Sequence, residues 1–337
     1  MAANKKKNPL QKYLSSNKSY PILYAIAAGL YPILFYFTNN YTIVNTWSHV
    51  GYFLVMFLLL PIVVFMILHF VMKSTNLKKH EKYVFPFLNV FAFLIFMMFC
   101  YYAGFYLKVA LLSFFVAIGF SFFFHGFFKK LVVFQLILAL IGVYTLAPRI
   151  IKLINYSDAW TVQPDNIKSV RFVKKPNVYF IQPDGYANFS ELRKENYKVD
   201  YSKFEEFLMK ENFKYYEDFR SNYASTLSSN SSIFMMKHHY YFNEKNFSEA
   251  IKTRDIIITK NPVLDIFKNN NYKTHFIAEM PYLLLNRPDF GYDVCNFNYK
   301  DISYIGTGLG ERQDILTPLI DNINTAPNTP KFFFIEI

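Results

Sequence analysis

VGYFLVMFLLLPIVVFMILHFVM, Val50–Met72, runs 23 residues without an acid, a lysine or an arginine. As a helix it measures about 35 Å at 1.5 Å per residue, enough to cross a hydrocarbon core of about 30 Å. It is apolar all round rather than along one stripe, the pattern of a helix with lipid rather than water outside it. Four more stretches of this kind flank it: Tyr20–Thr38, Tyr83–Leu107, Val109–Phe128 and Leu131–Pro148. A five-helix transmembrane bundle is therefore expected over residues 1–148, a connector over 149–174, and a separate folded domain over 175–337. A cleaved leader is not expected, because the first stretch is long, lacks a small-residue cleavage site and is followed by four others.

The lysines orient these crossings. Lys5, Lys6, Lys7, Lys12 and Lys18 precede the first stretch; Lys73, Lys78, Lys79 and Lys82 join the second to the third; Lys129 and Lys130 join the fourth to the fifth. The opposite side has Lys108 alone, and the Asn39–His49 loop has no lysine or arginine. By the positive-inside rule the N-terminus is cytoplasmic. An odd number of crossings then places everything after Arg149 outside, in the extracytoplasmic space of a multi-pass cell-membrane protein.

The formal charge of +12 does not signal nucleic acid. Residues 1–148 hold 12 of the 36 basic residues and one acid, Glu81; the rest of the chain is nearly balanced, with 24 basic residues and 23 acids. The excess is a topology signal rather than a phosphate-binding footprint. The two cysteines lie apart, Cys100 in a membrane stretch and Cys295 in the outer domain, so no disulfide is expected.

Beyond Pro176 strands and helices alternate. Asn177–Gln182 (NVYFIQ) reads as a strand ending in the turn Pro183-Asp184-Gly185. Tyr201–Asn212 has Phe204, Phe207 and Leu208 at helical spacing, with Asp200 or Ser202 as cap. Phe213–Phe219 reads as a second strand, Pro262–Asn269 as a helix, Thr274–Ala278 as a strand, Asp314–Ile323 as a helix and Lys331–Ile337 as a central strand. This order predicts a three-layer α/β/α domain with a mostly parallel sheet. The sequence stops where the last strand ends, and a loop that should bear ligands is then missing. A domain incomplete at its C-terminus is expected.

Two places carry chemistry. Asp184 stands at a strand tip before a glycine, and reads either as a metal ligand or as an ordinary Asp-Gly turn. Ser221–Ser232 (SNYASTLSSNSS) precedes Ile233-Phe234-Met235-Met236, which would begin a buried helix. A hydroxyl at such an N-terminus faces unpaired amides and the positive dipole end, which favour an anionic substrate and an ionised nucleophile. The alternative is a serine-rich loop with one capping residue.

Taken together, PNVYFIQPDGY (Pro176–Tyr186) followed by SNYAST (Ser221–Thr226) resembles the alkaline phosphatase and sulfatase superfamily. The likeness is to its membrane-anchored, sulfatase-like branch, and the expected architecture is similar to that of lipoteichoic acid synthases and phosphoethanolamine transferases. It covers Lys175–Ile337 at fold level and two short stretches at motif level. The resemblance implies Asp184 and Thr226 as ligands of a divalent metal, Zn or Mn, and Thr226 as the nucleophile of a ping-pong phosphoryl transfer, with Ser225 as second choice. It implies membrane lipids or an envelope glycan or polymer as substrate. The family completes its metal site with a later Asp-His pair and further histidines; after Thr226 this sequence has His238, His239 and His275 but no Asp-His pair, and none of these ligands is identified in it.

The remaining histidines read as structural. His238 and His239, if helical, point about 100° apart and do not share a metal; they are expected at the core edge, partly buried and hydrogen-bonded. His275 lies mid-strand and His69 near the cytoplasmic interface. Sulfatase chemistry proper is disfavoured, since neither cysteine stands two residues before a proline. No GxGxxG after a strand, GxxxxGK[ST], HExxH or GxSxG is present, and Gly306, Gly308 and Gly310 read as a surface loop. The reading is a membrane-anchored, metal-dependent phosphotransferase or phosphodiesterase. Its competitor is a catalytically inactive, truncated relative serving as a binding or assembly module. A transporter is disfavoured by the near absence of ionisable residues in the stretches.

Overall fold

The computed structural model describes residues 8–43, 46–75, 77–163, 165–194, 200–217, 219–221, 223–238, 251–285, 287–306, 308–309 and 312–337. Lys5, Lys6, Lys7, Asn222, His239 and Gly310 of the sequence reading lie outside the described residues. The chain divides into two compact units. The first runs to Tyr156 and includes Leu285–Pro288 and Ile302–Gly308; the second holds the remainder.

The first unit is helical: α1 (Pro9–Ser15), α2 (Pro21–Asn39), α3 (Trp47–Leu54), α4 (Leu60–Ser74), α5 (Glu81–Tyr102), α6 (Leu107–Phe123) and α7 (Phe128–Ile154). The π-helical turn Val55–Leu59 fuses α3 and α4 into one helix. Among the described residues four helices are long and apolar enough to cross a membrane: Pro21–Asn39, Trp47–Ser74, Lys78–Tyr102 and His125–Thr161. The fourth expected stretch forms α6, 17 residues or about 25 Å long, apolar but shorter than the others.

Side-chain contacts fix the helix directions. Tyr24 touches Phe128, and Arg149 Nη1 donates to the Thr38 carbonyl, so α2 and α7 run parallel. Tyr31 stacks on Phe93 and Phe35 on Tyr101, so α5 runs with them. Phe114 meets Phe87 while Ser121 Oγ donates to the Tyr83 carbonyl, so α6 runs antiparallel to α5. At the end where α2, α5 and α7 begin, Lys18, Lys78, Lys79, Lys82 and Lys129 line one cavity.

Pro61 explains the π turn. It has no N–H to offer the Phe57 carbonyl one turn back, and that carbonyl turns toward α2. A Cβ on Gly29 would lie 1.8 Å from it, so only glycine permits this approach. The last helix exceeds its expectation: α7 passes through Pro148 to Ile154, so the connector begins later than residue 149. Proline broke the sequence reading of this helix, yet Arg149 beyond it is anchored on Thr38 and over the Tyr41 ring.

The second unit is built on β1 (Val178–Gln182), α8 (Phe189–Leu192), α9 (Ser202–Lys210), α10 (Thr226–Met235), α11 (Thr253–Ile258), α12 (Pro262–Asn269), β2 (Lys273–Ala278), β3 (Val294–Cys295), α13 (Leu316–Asn324) and β4 (Lys331–Glu336). Among the described residues four strands pair in the order β1-β4-β2-β3, all parallel. β4 is central and buried throughout, as its run of phenylalanines predicts. Alternation sorts its side chains onto two faces. Phe332 stacks on Phe267 of α12, and Phe334 meets Phe234 of α10. Phe333 and Ile335 pack with Ile277, Ile315, Leu319 and Ile323 on the α13 side. Helices thus cover both faces of a small parallel sheet.

Two expectations fail here. Phe213–Phe219 forms no strand among its described residues; its polar groups bond Asn188 instead, whose Nδ2 donates to the Tyr216 carbonyl and whose Oδ1 accepts from the Tyr215 hydroxyl. Ile233–Met236 does not begin a helix. The helix starts seven residues earlier, at Thr226, and carries the serine-rich stretch inside it, with Ser228, Ser229, Ser231 and Ser232 buried.

Candidate functional site

β1 ends at Gln182, and the chain turns through Pro183-Asp184-Gly185, with the Tyr186 amide donating to the Pro183 carbonyl at 3.2 Å. Gly185 has φ +72°, a left-handed conformation that other residues adopt only under strain. The parallel ladder carries past the strand end, where the Asp184 amide donates to the Ile337 carbonyl at 2.9 Å. Asp184 is thereby held at the C-terminal edge of the sheet, where ligands of α/β sheets collect.

α10 brings the second residue. Phe234 packs on Phe180 and Phe334, and Asn230 Nδ2 donates to Gln182 Oε1 at 2.6 Å. These contacts pin the helix along the sheet with its N-terminus at the strand tips. There Thr226 Oγ1 donates to Asp184 Oδ1 at 2.9 Å across 42 residues of sequence. Asp184 is exposed and Thr226 half-buried, so the pair is open to a ligand. Thr226 is the first helical residue, and the side chain of Ser225 before it makes no capping bond. The first turn of a helix presents amides with no intrahelical partner and a partial positive charge, the setting an anion needs. The hydroxyl that bonds Asp184 belongs to Thr226 rather than Ser225.

The sequence reading missed Glu336. It is the last residue of β4, paired in register with Gln182, and shares the α10 face with Phe334. It is 8% exposed, and its Oε2 has no hydrogen-bond partner among the described residues. Burial pushes the carboxyl up to about 7, the charge of Asp184 adds to the rise, and the guanidinium of Arg254 opposes it. Arg254, at 5% exposure, lies over the Tyr282 ring and donates from Nε to the Tyr282 carbonyl. The available signal was positional: in a parallel pair, a carboxylate at one strand tip stands beside the tip of its neighbour.

The other candidates lie elsewhere. His275 is buried in β2 and stacks on Phe333, on the sheet face opposite Glu336. Burial, with Lys273 and Lys331 nearby, pushes its imidazole down to about 4, so it is neutral near pH 7. His238 corrects its expectation: it follows the end of α10, is exposed, and touches the Tyr223 ring. His69 bonds Glu81 at 3.1 Å near the lysine-lined end of the bundle. Both cysteines are free, and burial raises the Cys295 thiol to about 11, which makes it a poor nucleophile. The described part of the glycine loop packs in the helical unit, where Tyr304 stacks on His49.

Among the described residues no three or more His, Cys, Asp or Glu side chains group as a metal cage. The groups at these strand and helix ends are oxygens: the Asp184 carboxylate bonded by the Thr226 hydroxyl, and the buried Glu336 carboxyl at the neighbouring strand end. Such a set suits a hard cation such as Mn²⁺ or Mg²⁺ better than Zn²⁺. Compared with protein-family models, curated proteins and solved structures, the chain matches none.

Proposed function

We propose that this chain is a multi-pass membrane protein whose second unit is a sulfatase-like, metal-dependent phosphotransferase or phosphodiesterase. It acts outside the cytoplasm on lipid head groups or on an envelope glycan or polymer. The observation that carries the reading is the 2.9 Å hydrogen bond from Thr226 to Asp184, at the C-terminal edge of a parallel sheet and the N-terminus of a helix. A hydroxyl, a carboxylate and a positive helix end in that arrangement suit nucleophilic attack on a phosphate ester.

Asp184 and Thr226 would hold the divalent ion, which when bound lowers the hydroxyl's pKa and screens the phosphate's charge. The chain's own groups account for the rest. Asp184 Oδ1 already accepts the Thr226 hydroxyl proton, which fixes the hydroxyl rotor and leaves the Oγ1 lone pairs directed away from the carboxylate. Attack by Oγ1 forms the Oγ1–P bond and breaks the ester P–O bond; the departing alkoxide takes up a proton. Water or an alcohol then displaces Thr226 from phosphorus. The first-turn amides of α10 orient the phosphoryl oxygens throughout.

The topology belongs to the same reading. The clustering of Lys18, Lys78, Lys79, Lys82 and Lys129 at one bundle end supports a cytoplasmic N-terminus. The antiparallel run of α6 beside α5 supports a fifth crossing, which would carry the second unit outside. A membrane anchor raises the effective concentration of a lipid-borne substrate at the site.

The test uses the full chain purified in detergent with Mn²⁺ and bis(para-nitrophenyl) phosphate as probe. Turnover that disappears in Thr226→Ala, with circular dichroism unchanged, supports the reading. Equal turnover in that variant removes Thr226 as nucleophile.

A further inference from the structure

Glu336 occupies a position that electrostatics alone disfavours. Its side chain is 8% exposed and Oε2 lacks any donor among the described residues, while Asp184 raises its proton affinity as a like charge nearby. An ionised carboxylate without hydrogen bonds is costly to bury unless a positive partner stands beside it. Arg254 supplies an opposing positive charge, and its Nε donates to the Tyr282 carbonyl. Register and alternation carry Glu336 to the same corner as Asp184. It pairs with Gln182 two residues before Asp184, and Asn230, one helical turn beyond Thr226, bonds Gln182. Two carboxylates and a hydroxyl are therefore placed at the ends of β1, β4 and α10, with one buried oxygen left unsatisfied.

We propose that Glu336 is a second carboxylate ligand, joining Asp184 and Thr226 around one divalent cation in an oxygen-only corner suited to Mn²⁺. This rests on the metal-dependent reading above and adds to it a residue that reading does not require. The cation supplies what the protein leaves out: it satisfies Oε2 and turns the repulsion between the two carboxylates into shared attraction. The isosteric change Glu336→Gln separates the two situations. Without metal it removes a like charge and raises the melting temperature. With metal it removes a ligand, so Mn²⁺ stabilises the variant less than the wild type.

The experiment is calorimetric titration of Mn²⁺ into the full chain in detergent, with melting curves at each end of the titration. The expected result is one site per chain, lost in Asp184→Asn and weakened at least about tenfold in Glu336→Gln, together with the opposite melting shifts just described. If Glu336→Gln binds Mn²⁺ as tightly as the wild type while Asp184→Asn does not bind, Glu336 is no ligand and the Asp184–Thr226 reading stands. If the wild type takes up no Mn²⁺, the ligand role and the metal-dependent reading both fall.

Discussion

Glu81 and Glu336 are buried to nearly the same degree, 9% and 8% exposed, one in the helical unit and one in the sheet-bearing unit. Glu81 is fully provided for: Ser19 Oγ donates to Oε2 at 2.7 Å, and His69 Nδ1 lies 3.1 Å from Oε1. Glu336 has no donor on Oε2 among the described residues. The bundle is not closed everywhere: Gln135 Nε2 donates to Asn89 Oδ1 and Asn89 Nδ2 to the Tyr24 carbonyl, which links three helices, while Gln135 Oε1 has no partner among the described residues. At the strand tips Thr226 bonds Asp184, and Glu336 stands on the neighbouring strand with one oxygen unsatisfied. A buried carboxylate with donors on both oxygens ties helices together; one with an oxygen left open is placed to take a ligand.

That contrast can be broken in order of expected effect. Removing the proposed nucleophile with Thr226→Ala should lower turnover on the order of 10³-fold or more while leaving the fold intact, checked by steady-state rates and circular dichroism. The next test concerns protons. Glu336 titrates near 7 in the folded chain against 4.5 ordinarily, so the native state holds more protons than the unfolded state between those values. Stability of the metal-free protein should therefore fall as pH rises from about 4.5 to about 7, by on the order of 3 kcal/mol. Glu336→Gln should flatten that slope, as thermal melts across the range would record.

In the helical unit the expected effects are mechanical. Gly29→Val places side-chain atoms against the Phe57 carbonyl and should destabilise the bundle by about 1–3 kcal/mol, measured by unfolding in detergent. Asn89→Leu should cost less, about 1 kcal/mol, because interhelical hydrogen bonds in membranes are individually weak. A loss several times larger would mean that the amide network anchors the bundle far more firmly than its partners suggest.

Much of this architecture was legible in the sequence because it rests on local signals. β1, α12 and β4 fall within a residue or two of their expected bounds; each has an apolar run, with Pro183 after β1, Asn270 after α12 and Pro330 before β4. The apolar stretches appear as helices because unbroken hydrophobicity needs no tertiary information. The misreadings share a different cause. Pro148 reads as a stop, but Arg149 is held by Thr38 from another helix. Serines disfavour helix interiors, yet those of α10 are buried in the fold, with Ser231 Oγ back-bonding to the Ser228 carbonyl. Phe213–Phe219 has strand-like composition, but among its described residues Tyr215 and Tyr216 bond Asn188 instead of a strand. Asp184 and Thr226 were found through motif and spacing, whereas Glu336 joins them only through the β1–β4 register, which no single stretch encodes.

The central claim is that Thr226 carries the transferred group. Brief incubation of the full chain with Mn²⁺ and a phosphodiester probe, acid quench and peptide mass spectrometry address it directly. The account predicts a phosphate on Thr226, absent from Thr226→Ala. Turnover with Thr226 unmodified and the phosphate on another residue would contradict it.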